Sequence, residues 1–216
     1  MLSSSSPQPS EEKGVIISAI VSADETIFFW INGFAGKVPI FDWLMRLVGD
    51  DYLIFTIMAL ILISLWVGFR SASQRELNQR TVLCAAFGVG LACAAIHLFM
   101  AFGPDRLRPS DAYPALVNLL AYGRGDPSFP SESVAVAFAF ATGVWLSKRG
   151  GLGAVMLLMA ALLAFARVYV GVHYPLDVVA GAAIGILSSL AAQGLLRLFE
   201  PVPTWLLKGM RRIYLA

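Results

Sequence analysis

Five stretches of this chain, residues 52–69, 81–102, 131–146, 151–170 and 175–199, are apolar over lengths close to what a helix needs to cross a bilayer. About 20 residues of helix span the hydrocarbon core, where no water is present to satisfy backbone N–H and C=O groups, so runs of this kind fold as helices. The composition agrees: 58% hydrophobic residues, 14% charged and a mean hydropathy of +0.73 lie far outside the range of a soluble domain. The expected fold class is therefore all-α, a polytopic membrane helix bundle of about five transmembrane helices at residues 51–200. The third run is short and ends at Lys148-Arg149, so its first turn must be drawn from the polar sequence before it.

Upstream, residues 14–50 carry two apolar and aromatic segments, 23–34 and 39–48, interrupted by Asp24, Glu25, Asp42 and Arg46. Each is too short and too charged to span, which predicts helices lying in the membrane interface. A sixth span over 15–34 is the alternative, at the expense of burying Asp24 and Glu25. Residues 1–13 are polar and Pro/Ser-rich without a basic region leading into an apolar stretch, and are expected to be a disordered tail rather than a cleaved signal. Cys84 and Cys93, nine residues apart in one run, lie about 13 Å apart along a helix and cannot pair. Small residues crowd the last run at Gly181, Gly185, Ser188 and Ser189, as close helix packing requires.

Five spans put the loop 103–130 and the loop at His173 on one side of the membrane. The other side receives Arg70, Arg75 and Arg80, then Lys148 and Arg149, then Arg197, Lys208, Arg211 and Arg212 in the tail 201–216. Basic loops are cytoplasmic, so the first side faces outward. A net charge of +2 gives no reason to expect a nucleic-acid partner.

Three polar clusters converge on that outer side: Arg106-Leu107-Arg108-Pro109, the stretch DPSFPSES at 126–133, and ARVYVGVHYPLD at 166–177. Ionisable groups at the edge of hydrocarbon are costly and mark function by default. A helix starting at Ser131 aims its N-terminal N–H groups and positive dipole end at an anion. Arg108 and Arg167 add guanidinium forks suited to phosphate oxygens. Pro175 fits the first turn of the fifth run, leaving His173 in the preceding loop and Asp177 in that turn. A carboxylate there can take the N–H of one imidazole nitrogen and leave the other as a lone pair for substrate. Glu132 is a candidate acid if its pKa is raised, and otherwise a helix-start carboxylate satisfied by backbone N–H groups. His97, inside the second run, reads as a hydrogen-bonded helix residue or as a substitute acid. Arg106 and Arg124 read as solvated loop charges or as contacts to a second phosphate.

The clusters resemble the signature of the type 2 phosphatidic acid phosphatase superfamily, Lys-x6-Arg-Pro, Pro-Ser-Gly-His and Ser-Arg-x5-His-x3-Asp, over roughly residues 30–216. The third motif matches at Arg167, His173 and Asp177, with Ala166 in place of serine. Phe41-Asp42, DPSFPSES, VGVHYPLDV and the closing RRIY are similar to bacterial undecaprenyl-diphosphate phosphatases of the bacitracin-resistance type. The resemblance implies that His173 takes a phosphoryl group as phosphohistidine, that Asp177 orients it, and that Arg108, Arg167 and Ser131 hold the phosphate, with Ser133 counted beside them. It implies no metal and no cofactor, a membrane lipid diphosphate as substrate, and a multi-pass protein of a bacterial inner membrane. Ala101 stands where the pattern has lysine and Ser133 where it has histidine, the expected leaving-group acid. A diphosphate expels a lipid monophosphate, a weak base that needs little protonation, so these departures favour diphosphates over monoesters. A lipid phosphotransferase and a catalytically impaired protein binding phospholipid head groups are the alternative readings.

Overall fold

The computed structural model of the chain describes residues 9–68, 71–121, 125–147 and 150–212. Residues 1–8 of the expected tail, Arg70, Arg124, Lys148, Arg149 and the end of the RRIY stretch lie outside them. The secondary structure described is helical: α1 (Pro9–Asn32), α2 (Pro39–Gly49), α3 (Leu53–Val67), α4 (Ala72–Phe102), α5 (Pro109–Ala112), α6 (Glu132–Trp145), α7 (Gly150–Tyr169), α8 (Pro175–Leu198) and α9 (Val202–Arg212). Each of the five apolar runs forms a helix, namely α3, α4, α6, α7 and α8, so the chain is a polytopic helical membrane bundle. By length and apolarity three of these, α4, α7 and α8, can cross a membrane alone, and α2 with α3, bent by 50°, makes a fourth candidate span. The difference from five lies in α6, whose 14 residues reach only about 21 Å.

α6 is short because it is the centre of the bundle rather than a member of its wall. Val134, Ala135, Ala137, Ala139, Ala141 and Val144 have no exposed surface, and a helix apolar all round belongs inside. Its small side chains let α4, α7 and α8 close on it. A Cβ on Gly181 or Gly185 of α8 would collide with the backbone carbonyls of Ser131 and Ala135 on α6. Ser189 adds a hydroxyl that donates to the Ala139 carbonyl at 2.7 Å. Large apolar side chains such as Leu60, Leu98, Leu158 and Leu187 stay exposed on the outside, as lipid contact requires.

Two boundaries differ from the sequence reading. Arg75 and Arg80 belong to α4 and not to a loop, because SQRELNQR is made largely of helix formers and Arg80 pairs with Glu76 one turn back at 3.3 Å. Likewise α1 is one helix of 24 residues beginning inside the expected tail, not a short segment from residue 23. The expected C-terminal tail contains α9, whose Leu207 is buried. Arg80 ties the two ends of this face together through Glu200 and, at 2.6 Å, Thr204. Cys84 and Cys93 are both free.

Candidate active site

At the other end of the bundle residues 103–121 and 125–130 fold over the turn between α7 and α8. Gly171 makes that turn at φ +88°, with Val117 and Asn32 packed where a side chain would stand. Asn32 closes it further, donating to the Tyr169 carbonyl at 2.9 Å and the Asn118 carbonyl at 3.0 Å while its own carbonyl oxygen accepts from Asn118 N. Asp42 of α2 braces the same corner by accepting the Tyr169 hydroxyl at 2.6 Å. The result presents residues 172–174 inward, between α6 and the loop.

His173 is 4% exposed. Its Nδ1 lies 2.9 Å from the Ser128 carbonyl, an acceptor, so Nδ1 carries the hydrogen and Nε2 the lone pair. Nε2 faces Nη1 of Arg108 at 3.4 Å. Asp177 stands 3.7 Å from Nδ1, so it does not take the imidazole N–H as the sequence suggested. Its Oδ2 instead accepts from Tyr174 N at 2.7 Å and from the Ser128 hydroxyl, and its Oδ1 accepts from Arg106 at 2.7 Å. Asp177 thus fixes the residue whose carbonyl holds the imidazole, and adds a negative charge behind it. Burial pushes the His173 pKa down; Asp177 opposes this, and the Arg108 and Arg167 charges push it further down. The imidazole is neutral at pH 7.

Arg108 is 4% exposed and Arg167 6%. Arg108 spends Nη1 on the Val172 carbonyl at 3.0 Å, which anchors the loop to the turn. Together with His173, Glu132, Ser133 and Asp126, the two arginines line one cleft. Ser133 lines the cleft, whereas Ser131 is fully buried, its hydroxyl 3.5 Å from that of Ser133 and its N–H given to the Asp177 carbonyl at 3.0 Å. Ser131 is the N-cap residue of α6 but its side chain makes no capping bond, so it leaves the first-turn N–H groups uncovered for an anion. Glu132 is 42% exposed at the rim, 4.0 Å from His97. His97 bonds to the Cys93 carbonyl of its own helix at 2.8 Å and is 70% exposed.

Several residues of this end carry no motif. Arg106 is no solvated loop charge: it bridges Asp177 at 2.7 Å and Asp24 at 2.6 Å and stacks on Tyr174 with its Cζ 3.9 Å from the ring centroid. Burial alone would lower its pKa, but the two carboxylates raise it. Asp24, buried in α1, also accepts from Leu176 N at 2.8 Å, and so clamps α1 to the first turn of α8. The signal for Asp24 was present in the sequence as a carboxylate inside an apolar run. Asp126 and Asp51 pair with Arg108 and Arg167. Among the described residues no group of three or more His, Cys, Asp or Glu side chains is placed to hold a metal ion.

A neutral imidazole, two buried arginines and an open helix N-terminus around one cleft, at the end of a bundle that crosses a bilayer, are the parts of a membrane phosphatase. Comparison with known proteins makes the class specific. The chain belongs to the PAP2 superfamily, whose family model matches residues 81–197. It is 29% identical over 174 residues to the putative undecaprenyl-diphosphatase YbjG of Escherichia coli (strain K12), covering 78% of this chain and 80% of that protein. It is 28% identical over 161 residues to the undecaprenyl-diphosphatase BcrC of Bacillus subtilis (strain 168), covering 74% and 78%. The crystal structure of Aquifex aeolicus LpxE superposes with a TM-score of 0.61 at 27% identity, covering 78% of this chain and 93% of that one.

Proposed function

We propose that this phosphatase removes the terminal phosphate of a polyprenyl diphosphate, undecaprenyl diphosphate in the first instance, at the outer face of a bacterial plasma membrane. The observation that carries the reading is the His173 tautomer: with Nδ1–H given to the Ser128 carbonyl at 2.9 Å, the Nε2 lone pair is left toward the cleft beside Arg108. In the first step Nε2 attacks the terminal phosphorus, an N–P bond forms and the bridging P–O bond breaks. The electron pair departs with the lipid monophosphate. Nδ1 keeps its hydrogen, so the phosphorylated ring is cationic, and the Ser128 carbonyl and the Asp177 charge stabilise it. Water then adds to the phosphorus, the N–P bond breaks, and both water protons leave with inorganic phosphate. Arg108, Arg167 and the α6 N-terminus hold the phosphoryl oxygens through both steps, with the Ser133 hydroxyl facing them. Ser133, standing where the superfamily has a histidine, cannot act as an acid. The weakly basic lipid phosphate is a leaving group that tolerates this. The names of two relatives support the same substrate, and the basic residues Arg80, Arg197 and Lys208 at the opposite end support the outward orientation.

The test is phosphate release by the detergent-purified protein from undecaprenyl diphosphate and from phosphatidic acid, with and without chelator, beside His173→Ala. Release from the diphosphate, a loss of at least about a thousandfold in His173→Ala and indifference to chelator are expected. Equal rates on phosphatidic acid would overturn the leaving-group argument. Transfer of the phosphoryl group to added lipid rather than water would make the protein a transferase.

A further inference from the structure

Both arginines that line the cleft with His173 already hold a carboxylate. Arg108 sets Nη2 3.0 Å from Asp126 Oδ1 and Nε 3.1 Å from the backbone carbonyl of the same residue. Arg167 donates through Nη2 to Asp51 Oδ1. The cations are fixed by burial, at 5% and 7% side-chain exposure, whereas the acids stand at the solvent edge, at 42% and 26%. Because Nη1 of Arg108 faces His173 Nε2 at 3.4 Å, the Asp126 carboxylate occupies the guanidinium on which a phosphate attacked by His173 has to land. The open volume of the cleft is about 20 Å³, which is room for roughly one water molecule and too little for a phosphate.

Entry of substrate is therefore an exchange of anions. The departing carboxylates are already in contact with water, at 42% and 26% exposure, and rehydrate at little cost, while the arginines stay where burial holds them. Coulomb energy scales with the charge of the arriving group. An anion of charge −1 merely repeats what the tethered carboxylate provides, and the carboxylate has the advantage of being attached. A terminal phosphate with two negative charges gains on the exchange, and bidentate hydrogen bonding to the guanidinium adds to that gain.

We propose that Asp126 and Asp51 are displaceable counter-anions of Arg108 and Arg167, forming a charge filter that admits a doubly charged terminal phosphate and rejects the singly charged phosphodiesters of the surrounding bilayer. The filter rests on the phosphatase reading above and adds to it the reason why abundant head groups do not occupy the site. The experiment measures inhibition of diphosphate hydrolysis by inorganic phosphate and, separately, by dimethyl phosphate. It compares the wild type with Asp126→Asn, Asp51→Asn and the double variant. Each single substitution lowers the inhibition constant for inorganic phosphate roughly tenfold, the scale of one lost charge-assisted competitor. Dimethyl phosphate is inert toward the wild type and inhibits the double variant. Calorimetric binding of inorganic phosphate to the same proteins reads the same sign without turnover, and Asp126→Ser repeats the charge removal with a smaller side chain. Constants that stay put or rise in the variants overturn the filter, since they mean the aspartates hold the arginines in position. A wild type that binds phosphate but releases none from any lipid defeats the phosphatase reading and leaves the calorimetric test of the filter intact.

Discussion

Replacing Asp24 with alanine removes a carboxylate that is 1% exposed and accepts two hydrogen bonds, from Arg106 Nη2 at 2.6 Å and from Leu176 N at 2.8 Å. The Leu176 N–H, left without its acceptor at the start of α8, costs about 1–3 kcal/mol, and the charge-assisted bond to Arg106 is worth about 1.5–3 kcal/mol. Arg106 keeps Asp177 and is 24% exposed, which trims the second contribution. The expected loss is about 3–5 kcal/mol, in line with breaking other buried ion pairs. For a chain of this size that lowers the midpoint of thermal unfolding by roughly 10 °C. Asp24→Asn retains an acceptor for Leu176 and is expected to lose about half as much. Tryptophan fluorescence during heating in detergent micelles measures both. Glu25→Ala is the internal control, because Glu25, half-buried, accepts a single bond from the neutral Tyr113 hydroxyl at 2.9 Å and pairs with no arginine among the described residues, and it should shift the midpoint by less than about 3 °C. An Asp24→Ala midpoint within about 2 °C of wild type, or equal to that of Glu25→Ala, would refute the clamping of α1 to the first turn of α8.

Burial lowers the His173 pKa, so the acid limb of kcat/KM is expected below the ordinary imidazole value of about 6.5. The same depression makes stability rise with pH between the folded and the unfolded pKa and level off above the latter; a limb above 6.5 in a pH–rate profile contradicts both. In α8, Gly185→Ala drives a Cβ into the Ala135 carbonyl, whereas Gly194→Ala meets nothing within 4 Å. The first is expected to destabilise by about 1–3 kcal/mol and the second to stabilise by up to about 1 kcal/mol through helix propensity, as thermal unfolding of the pair would show. Arg80→Ala breaks contacts to Glu76, Glu200 and Thr204, yet with side chains 36–43% exposed the loss should stay below about 1 kcal/mol.

The helices of the bundle were legible because long apolar runs admit one kind of backbone in lipid. That Arg108, Arg167 and His173 would gather at one cleft was legible because their types and spacing stand out at the ends of apolar runs. What escaped was geometry inside a single turn: Ser131 and Ser133 stand two residues apart at the start of α6, and only the packing of Ser131 against the Asp177 carbonyl decides which of them lines the cleft. The acceptor for His173 escaped for a different reason. It is the backbone carbonyl of Ser128, and side-chain patterns do not report carbonyl directions. Asp24 meets its arginine partner 82 residues away, a distance over which no helical periodicity applies, so its carboxylate looked the same as one lying in the interface. Arg75 and Arg80 were misplaced because polar helix and polar loop differ little in composition.

The fit of α6 against α8 divides the candidate-site end of the bundle mechanically. With glycines at 181 and 185 under the carbonyls of Ser131 and Ala135, and Ser131 N bonded to Asp177 O at 3.0 Å, the start of α6 and the His173 turn behave as one stiff plate. Tuning cannot come from that plate, since any added atom lodges against backbone. It has to come from the exposed positions of the lip, such as Leu107, Leu116 and Asp126 with Asp51 opposite, which can be exchanged without touching Arg106, Arg108 or Asn118 that tie the lip to the frame. Libraries aimed at new lipid phosphates would therefore do best to vary the lip and leave the plate untouched.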